Sequence, residues 1–181
     1  MLYVGLSSWI IQDGNYGDFR VGEAARFALE FYPHTLGDAK SQQASLERLR
    51  ANRYRIRGQV VYVARSVWVI DFGLMAYQNR EPPKVAKRGS WVEGDVELGV
   101  DPFFYFEELY ALPRMPALQY DWRIKTILLE TTPWLSRKDE KGTTILSRDE
   151  QQESFVEVAE TNAWDDDAGL GHYVLECEKI C

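Results

Sequence analysis

Apolar and polar residues alternate with a period of two along much of the chain, the mark of strands with one face buried and one face wet. Between Trp91 and Val100, Val92, Val96, Leu98 and Val100 fall on one side, with Glu93, Asp95 and Glu97 on the other. The same alternation sets Phe27, Leu29 and Phe31 against Arg26 and Glu30, and Trp122, Ile124, Thr126 and Leu128 against Arg123 and Lys125. Towards the C-terminus, residues 154–160 and 172–178 read as two strands, and the Asp- and Gly-rich stretch between them is turn material, which predicts a hairpin.

Helical signals are few. Asp38 to Ala51 has a capping aspartate, good helix formers and basic residues near its end, so it is expected to be a helix with a thin apolar stripe. A second short helix is expected after Asp101 and Pro102, where Phe103, Phe106 and Tyr110 recur at helical spacing. A weak internal echo links "WIIQDG" at Trp9 with "WVIDFG" at Trp68, and unequal spacing argues against true duplication.

The expected order in the middle of the chain is a long strand over 53–63, a turn, a strand over 67–77, a strand over 91–100, a short helix, a strand over 122–130 and a strand over 154–160. This order resembles the oligonucleotide/oligosaccharide-binding (OB) fold, and "WVIDFG" followed by "GSWVEGD" is similar to the second and third strands of its S1-like members. The resemblance implies a place for Gly58: in such a barrel the first strand would have to bend there to join both sheets. The resemblance covers about 110 residues and is one of fold pattern. The expectation is a single domain, mainly β: an antiparallel OB-like barrel core over 53–160, preceded over 1–52 by an N-terminal hairpin and helix, and followed over 161–181 by a last strand that completes a C-terminal hairpin.

Composition adds that 181 residues with 45% hydrophobic and 27% charged side chains suit a folded, water-facing protein with a proper core. No apolar run approaches the roughly 20 residues that span a bilayer, and the N-terminus lacks a basic start and a small-residue cleavage site, so a cytoplasmic location without membrane contact is expected. The net charge of −7 hides an asymmetry: Arg48 to Arg88 holds ten basic and two acidic residues, leaving −15 for the remainder. Such a stretch is either a basic binding face or a set of strands that neutralises acidic neighbours.

Candidate chemistry is sparse. His34 and His172 are far apart and show no metal-ligand spacing, Cys177 alternates onto an apolar side, and no metal site or cofactor is expected. Ser7 and Ser8 lack the spacing of a nucleophile elbow. His172 with Asp167 is a conceivable general base and orienter, for which the sequence offers no nucleophile, and the Asp165–Asp167 run reads as a solvated loop in place of a cation site. No catalytic residue is assigned.

Three functions stay open at this stage. The leading one is a non-catalytic binding module, with single-stranded nucleic acid as the ligand that an OB-like barrel suggests, read through Arg53, Arg55 and Arg57 with the rings of Tyr54 and Trp91. The second is an inhibitor- or immunity-like protein that presents Asp165, Asp166 and Asp167 to a basic partner, since Arg148 to Cys181 holds ten acids against two bases. The third is a small hydrolase-like enzyme. Strand edges near the C-terminus suggest a monomer or a weak homodimer, with Glu176 and Glu178 opposing close pairing.

Overall fold

In chain order, β1 (Leu2–Ser7) runs into the short helix α1 (Ser8–Gln12), and β2 (Ala24–Pro33), β3 (Gly37–Asp38), β4 (Ser45–Arg50) and β5 (Arg53–Val63) follow. Next come β6 (Trp68–Asp71), β7 (Met75–Gln78), β8 (Trp91–Val100), the single turn α2 (Phe104–Glu107) and β9 (Gln119–Glu130). The chain then forms β10 (Trp134–Lys138), β11 (Thr144–Arg148), β12 (Phe155–Val158) and β13 (His172–Lys179). These assignments come from a computed structural model that describes residues 1–138 and 142–180.

Eight strands close on themselves through the pairings β2–β9–β13–β1–β8–β5–β6–β7–β2, while β2 and β8 also pair directly with each other. The result is a closed mixed β-barrel, consistent with an OB-like barrel. The alternation read from the sequence explains the wall. In the register Leu29↔Val100 and Phe31↔Leu98, β2 and β8 turn Phe27, Leu29, Phe31, Val92, Val96, Leu98 and Val100 into one core, all fully buried. Trp122 stacks on Phe27 with ring centroids 5.6 Å apart, and Trp68 meets Phe31 edge to face at 4.9 Å. Gly58 sits in β5 where a Cβ atom would stand 2.6 Å from the Asp71 carbonyl oxygen, so the close approach of β5 to β6 requires the missing side chain. A second apolar cluster, including Val67, Val69 and Tyr77, packs against Tyr105 and Leu109 from α2 and the turn after it.

Several expectations are corrected. The barrel is mixed and not purely antiparallel, because β1 runs parallel to β8 at Gly5↔Gly99 and β2 parallel to β7 at Glu30↔Tyr77. No N-terminal hairpin forms: β1 inserts between β13 and β8, and β2 lies elsewhere in the wall. The C-terminal hairpin is also absent, since β12 and β13 each pair with β9 and not with one another. β13 lies between β1 and β9, so the C-terminal edge invoked for self-association is occupied.

The helix expected over Asp38–Ala51 is replaced by β3, a loop and β4. With only a thin apolar stripe to bury, the segment takes backbone pairing on the edge of β5, from Ser45↔Arg57 to Arg50↔Arg53, and Arg48 lies 3.2 Å above the Tyr3 ring. The strand expected over 67–77 is a hairpin, β6–β7, turned at Gly73, whose φ of 102° suits glycine and whose N–H donates to Asp71 Oδ1 at 2.9 Å. In β9 the register slips opposite Glu176/Cys177, leaving Lys125 as the extra residue. Ile127 is therefore fully buried beyond the slip, whereas Thr126 turns outward and donates to Glu176.

Candidate functional site

The arginine row of β5 lies opposite the acidic row of β8, in the register Arg53↔Glu97, Arg55↔Asp95 and Arg57↔Glu93. Arg55 Nε donates to Asp95 at 3.0 Å, Arg57 Nε donates to Glu93 at 2.9 Å, and Arg53 stands 3.7 Å from Asp95. The hydrogen bond from Arg57 holds the Glu93 carboxyl below its ordinary range. The two rows thus neutralise each other across the strand pair. Tyr54 points the other way, into the core, 3% exposed, and its hydroxyl accepts the Tyr3 N–H at 2.7 Å, so its ring is not available for stacking. Trp91 is half-buried at the end of β8 opposite Gln59.

All three carboxylates of the Asp165–Asp167 run are engaged. Asp165 accepts from the Asn162 side chain at 3.0 Å, and Asp166 accepts the Tyr173 hydroxyl at 2.6 Å. Asp167 accepts from Arg148 at 2.5 Å and from Trp134 Nε1 at 2.9 Å, and no hydrogen bond joins it to His172. The base–orienter pair considered from the sequence is therefore not assembled. Among the described residues no cluster of three or more His, Cys, Asp or Glu side chains is arranged to hold a metal ion.

What the structure brings together is a cleft of about 440 Å³ between α1, the loop before β13 and the base of the β10–β11 hairpin. Its walls are Trp9, Trp134 and Leu170, which are 48%, 40% and 60% exposed. Arg148 stacks 3.8 Å over the Trp134 ring and donates to the Thr132 carbonyl at 2.6 Å, and its bond to Asp167 ties the hairpin to the loop before β13. The floor is polar. Ser7 and His172 are register partners on β1 and β13, and Ser7 Oγ lies 3.2 Å from His172 Nδ1. Ser7 precedes α1 without using its side chain to cap the helix, which leaves the hydroxyl to the imidazole.

Glu130 completes the floor. Leu129 pairs with Tyr173, so the next position on β9 lies level with His172, and Ser7, His172 and Glu130 all line the cleft. Burial pushes the His172 imidazole below its ordinary value of 6.5; Glu130 and Glu97 pull it up, and Arg148 pushes it down. The net direction favours the neutral ring at neutral pH.

The sequence reading did not assemble this site. Ser7 and His172 are separated by nearly the whole chain, and their meeting depends on β1 and β13 being neighbours, which no local pattern announces. Trp9, Trp134 and Arg148 belong to segments whose periodicity is weak, and the β10–β11 hairpin was not anticipated. The available signal was the serine pair followed by an aromatic at Ser7–Trp9, dismissed because its spacing fits no known elbow.

No family model matches the chain, and no curated protein or solved structure matches it either, so the site stands on its own geometry.

Proposed function

We propose that the protein is a binding module whose ligand site is the Trp9–Trp134 cleft, and that the ligand presents a planar, largely apolar group with a polar atom directed at Ser7 and His172. The observation that carries this reading is the cleft itself: about 440 Å³, with two half-exposed indoles and a leucine around a small polar floor. That size and composition are those of small-molecule sites, where apolar walls supply affinity and a few polar groups set orientation. The OB-like architecture is part of this reading at the level of fold and names no ligand by itself.

Single-stranded nucleic acid draws less support, because the charges of the arginine row are met by Glu93 and Asp95 and Tyr54 is in the core. A basic protein partner likewise finds Asp166 and Asp167 already bonded.

A neutral planar dye, N-phenyl-1-naphthylamine, tests the proposal by its fluorescence gain. Saturable one-to-one binding is expected, weakened at least tenfold by Leu170→Asp on the rim and by Trp134→Ala, and unchanged by Arg57→Ala. Binding that does not saturate, or that ignores both rim variants, contradicts it.

A further inference from the structure

We propose that the same cleft hydrolyses a neutral carboxylic ester, with Ser7 as nucleophile, His172 as general base and Glu130 as the positioning carboxylate. The proposal rests on the binding reading above and adds chemistry to it.

Three neighbouring strands contribute one side chain each at the same level: Glu130 from β9, His172 from β13 and Ser7 from β1. Leu6, Tyr173 and Ile127 are buried in the core, and strand alternation then turns Ser7, His172 and Glu130 to the outer face. The row reads carboxylate, imidazole, hydroxyl, the order in which a base oriented on one side removes a proton on the other. The Ser7–His172 spacing of 3.2 Å is within reach of proton transfer. A purely structural cross-strand hydrogen bond does not call for a carboxylate at the same level on the next strand or for an open cleft beside the pair.

The walls set the substrate class. Arg148 is the one cation among the described lining residues, and Asp167 already neutralises it at 2.5 Å. Glu130 adds negative charge. An anionic phosphate or carboxylate therefore meets no free positive charge, whereas a neutral ester with an apolar acyl or alcohol group fits between the indoles. Ser8 also lines the cleft, but it is 1% exposed and its hydroxyl is buried beside the Tyr173 hydroxyl, which donates to Asp166.

The step balances within these groups. Ser7 Oγ bonds to the ester carbon as its proton passes to His172 Nδ1; the carbon–oxygen bond to the alcohol then breaks, and the alcohol leaves with that proton. Water attacks the acyl-serine, giving a proton to His172; Ser7 recovers the proton as the carboxylic acid departs.

The experiment combines an apolar alkyl fluorophosphonate, followed by intact-mass and peptide analysis, with hydrolysis of p-nitrophenyl butyrate. The wild-type protein is expected to gain one adduct, on Ser7, and excess N-phenyl-1-naphthylamine is expected to slow the labelling. Ser7→Ala should lose the adduct and at least 100-fold of the hydrolysis while still binding the dye saturably and one to one, which shows that the cleft is intact. Glu130→Gln should lower the rate about tenfold and move the apparent pKa of the rate profile down. Glu130 and Glu97 hold the proton on His172 against burial and Arg148, so removing one acid makes the ring easier to deprotonate. A Glu130 that only lends its charge moves that profile without lowering the plateau rate, so a plateau equal to wild type contradicts the positioning role. No adduct, an adduct elsewhere, or undiminished hydrolysis by Ser7→Ala, with dye binding intact, overturns the esterase and spares the binding site. Failure of the wild-type protein to bind dye overturns the binding reading beneath it.

Discussion

Two buried carboxylates set the residue-scale cost of this fold. Glu30 is 5% exposed, and burial raises its pKa from the ordinary 4.5 to about 6, although the Tyr32 hydroxyl donates to it at 2.6 Å. Asp101 is fully buried and also shifted upward by burial, with Tyr77 and the Tyr105 N–H donating to one oxygen and the other oxygen unbonded. A carboxyl whose folded pKa exceeds its unfolded one binds its proton more tightly in the native state. Glu30 therefore stabilises the fold more as pH falls from 7 through 6 towards 4.5, by about 2 kcal/mol at most. His172 works in the opposite sense, because its lowered pKa costs stability as pH falls through 6.5. Comparison with Glu30→Gln separates the two, since His172 is common to both proteins. The variant is expected to melt above wild type at pH 8 and to lose that advantage by pH 5; a gap that stays constant over this range contradicts the assignment.

Among the elements, the β5–β8 pair decides how the basic stretch is used. The sequence showed the alternation of both strands and left open whether the arginines were exposed or paired, because register is a tertiary property. Setting Arg55 against Asp95 and Arg57 against Glu93 resolves it. Glu93→Gln with Asp95→Asn is predicted to unmask the row: the double variant should bind a short oligothymidylate at low ionic strength at least tenfold more tightly than wild type, with the gain falling away as salt rises. Equal binding by both proteins in a filter assay contradicts the pairing. Strands β2, β8 and β9 were legible from alternation; at Gly58 a bend was expected, and the structure shows a close approach of β5 to β6 there, with the register irregularity between Val60 and Tyr62. The turn at Gly73 was read as continuous strand because Trp68 to Tyr77 is almost uniformly apolar. Beyond Lys125 the alternation misled, because the register slip transfers the buried positions from Thr126 and Leu128 to Ile127.

At the scale of the molecule, closure joins the two ends of the chain. β1 pairs with β13 over Leu2↔Cys177 to Ser7↔His172, and that one pairing both shuts the wall and forms the floor of the cleft. Fold and candidate site therefore share a cause that no sequence window contains, which is why the barrel class was readable and the site was not. The remaining sheet edges are poor templates for growth: β12 has four residues, and β4 carries Glu47, Arg48 and Arg50. No described helix is long and apolar enough to cross a membrane. The central claim is that ligands engage the cleft and leave the arginine row alone. A nitrogen–proton correlation spectrum recorded during titration with N-phenyl-1-naphthylamine tests it most directly, because the indole and guanidinium N–H groups report the two places separately. The prediction is that the Trp9 and Trp134 indole signals shift together and saturate while the Arg55 and Arg57 Nε–H signals stay still. Shifts centred on Arg55, Arg57 and Trp91, with Trp9 and Trp134 unmoved, would contradict the account.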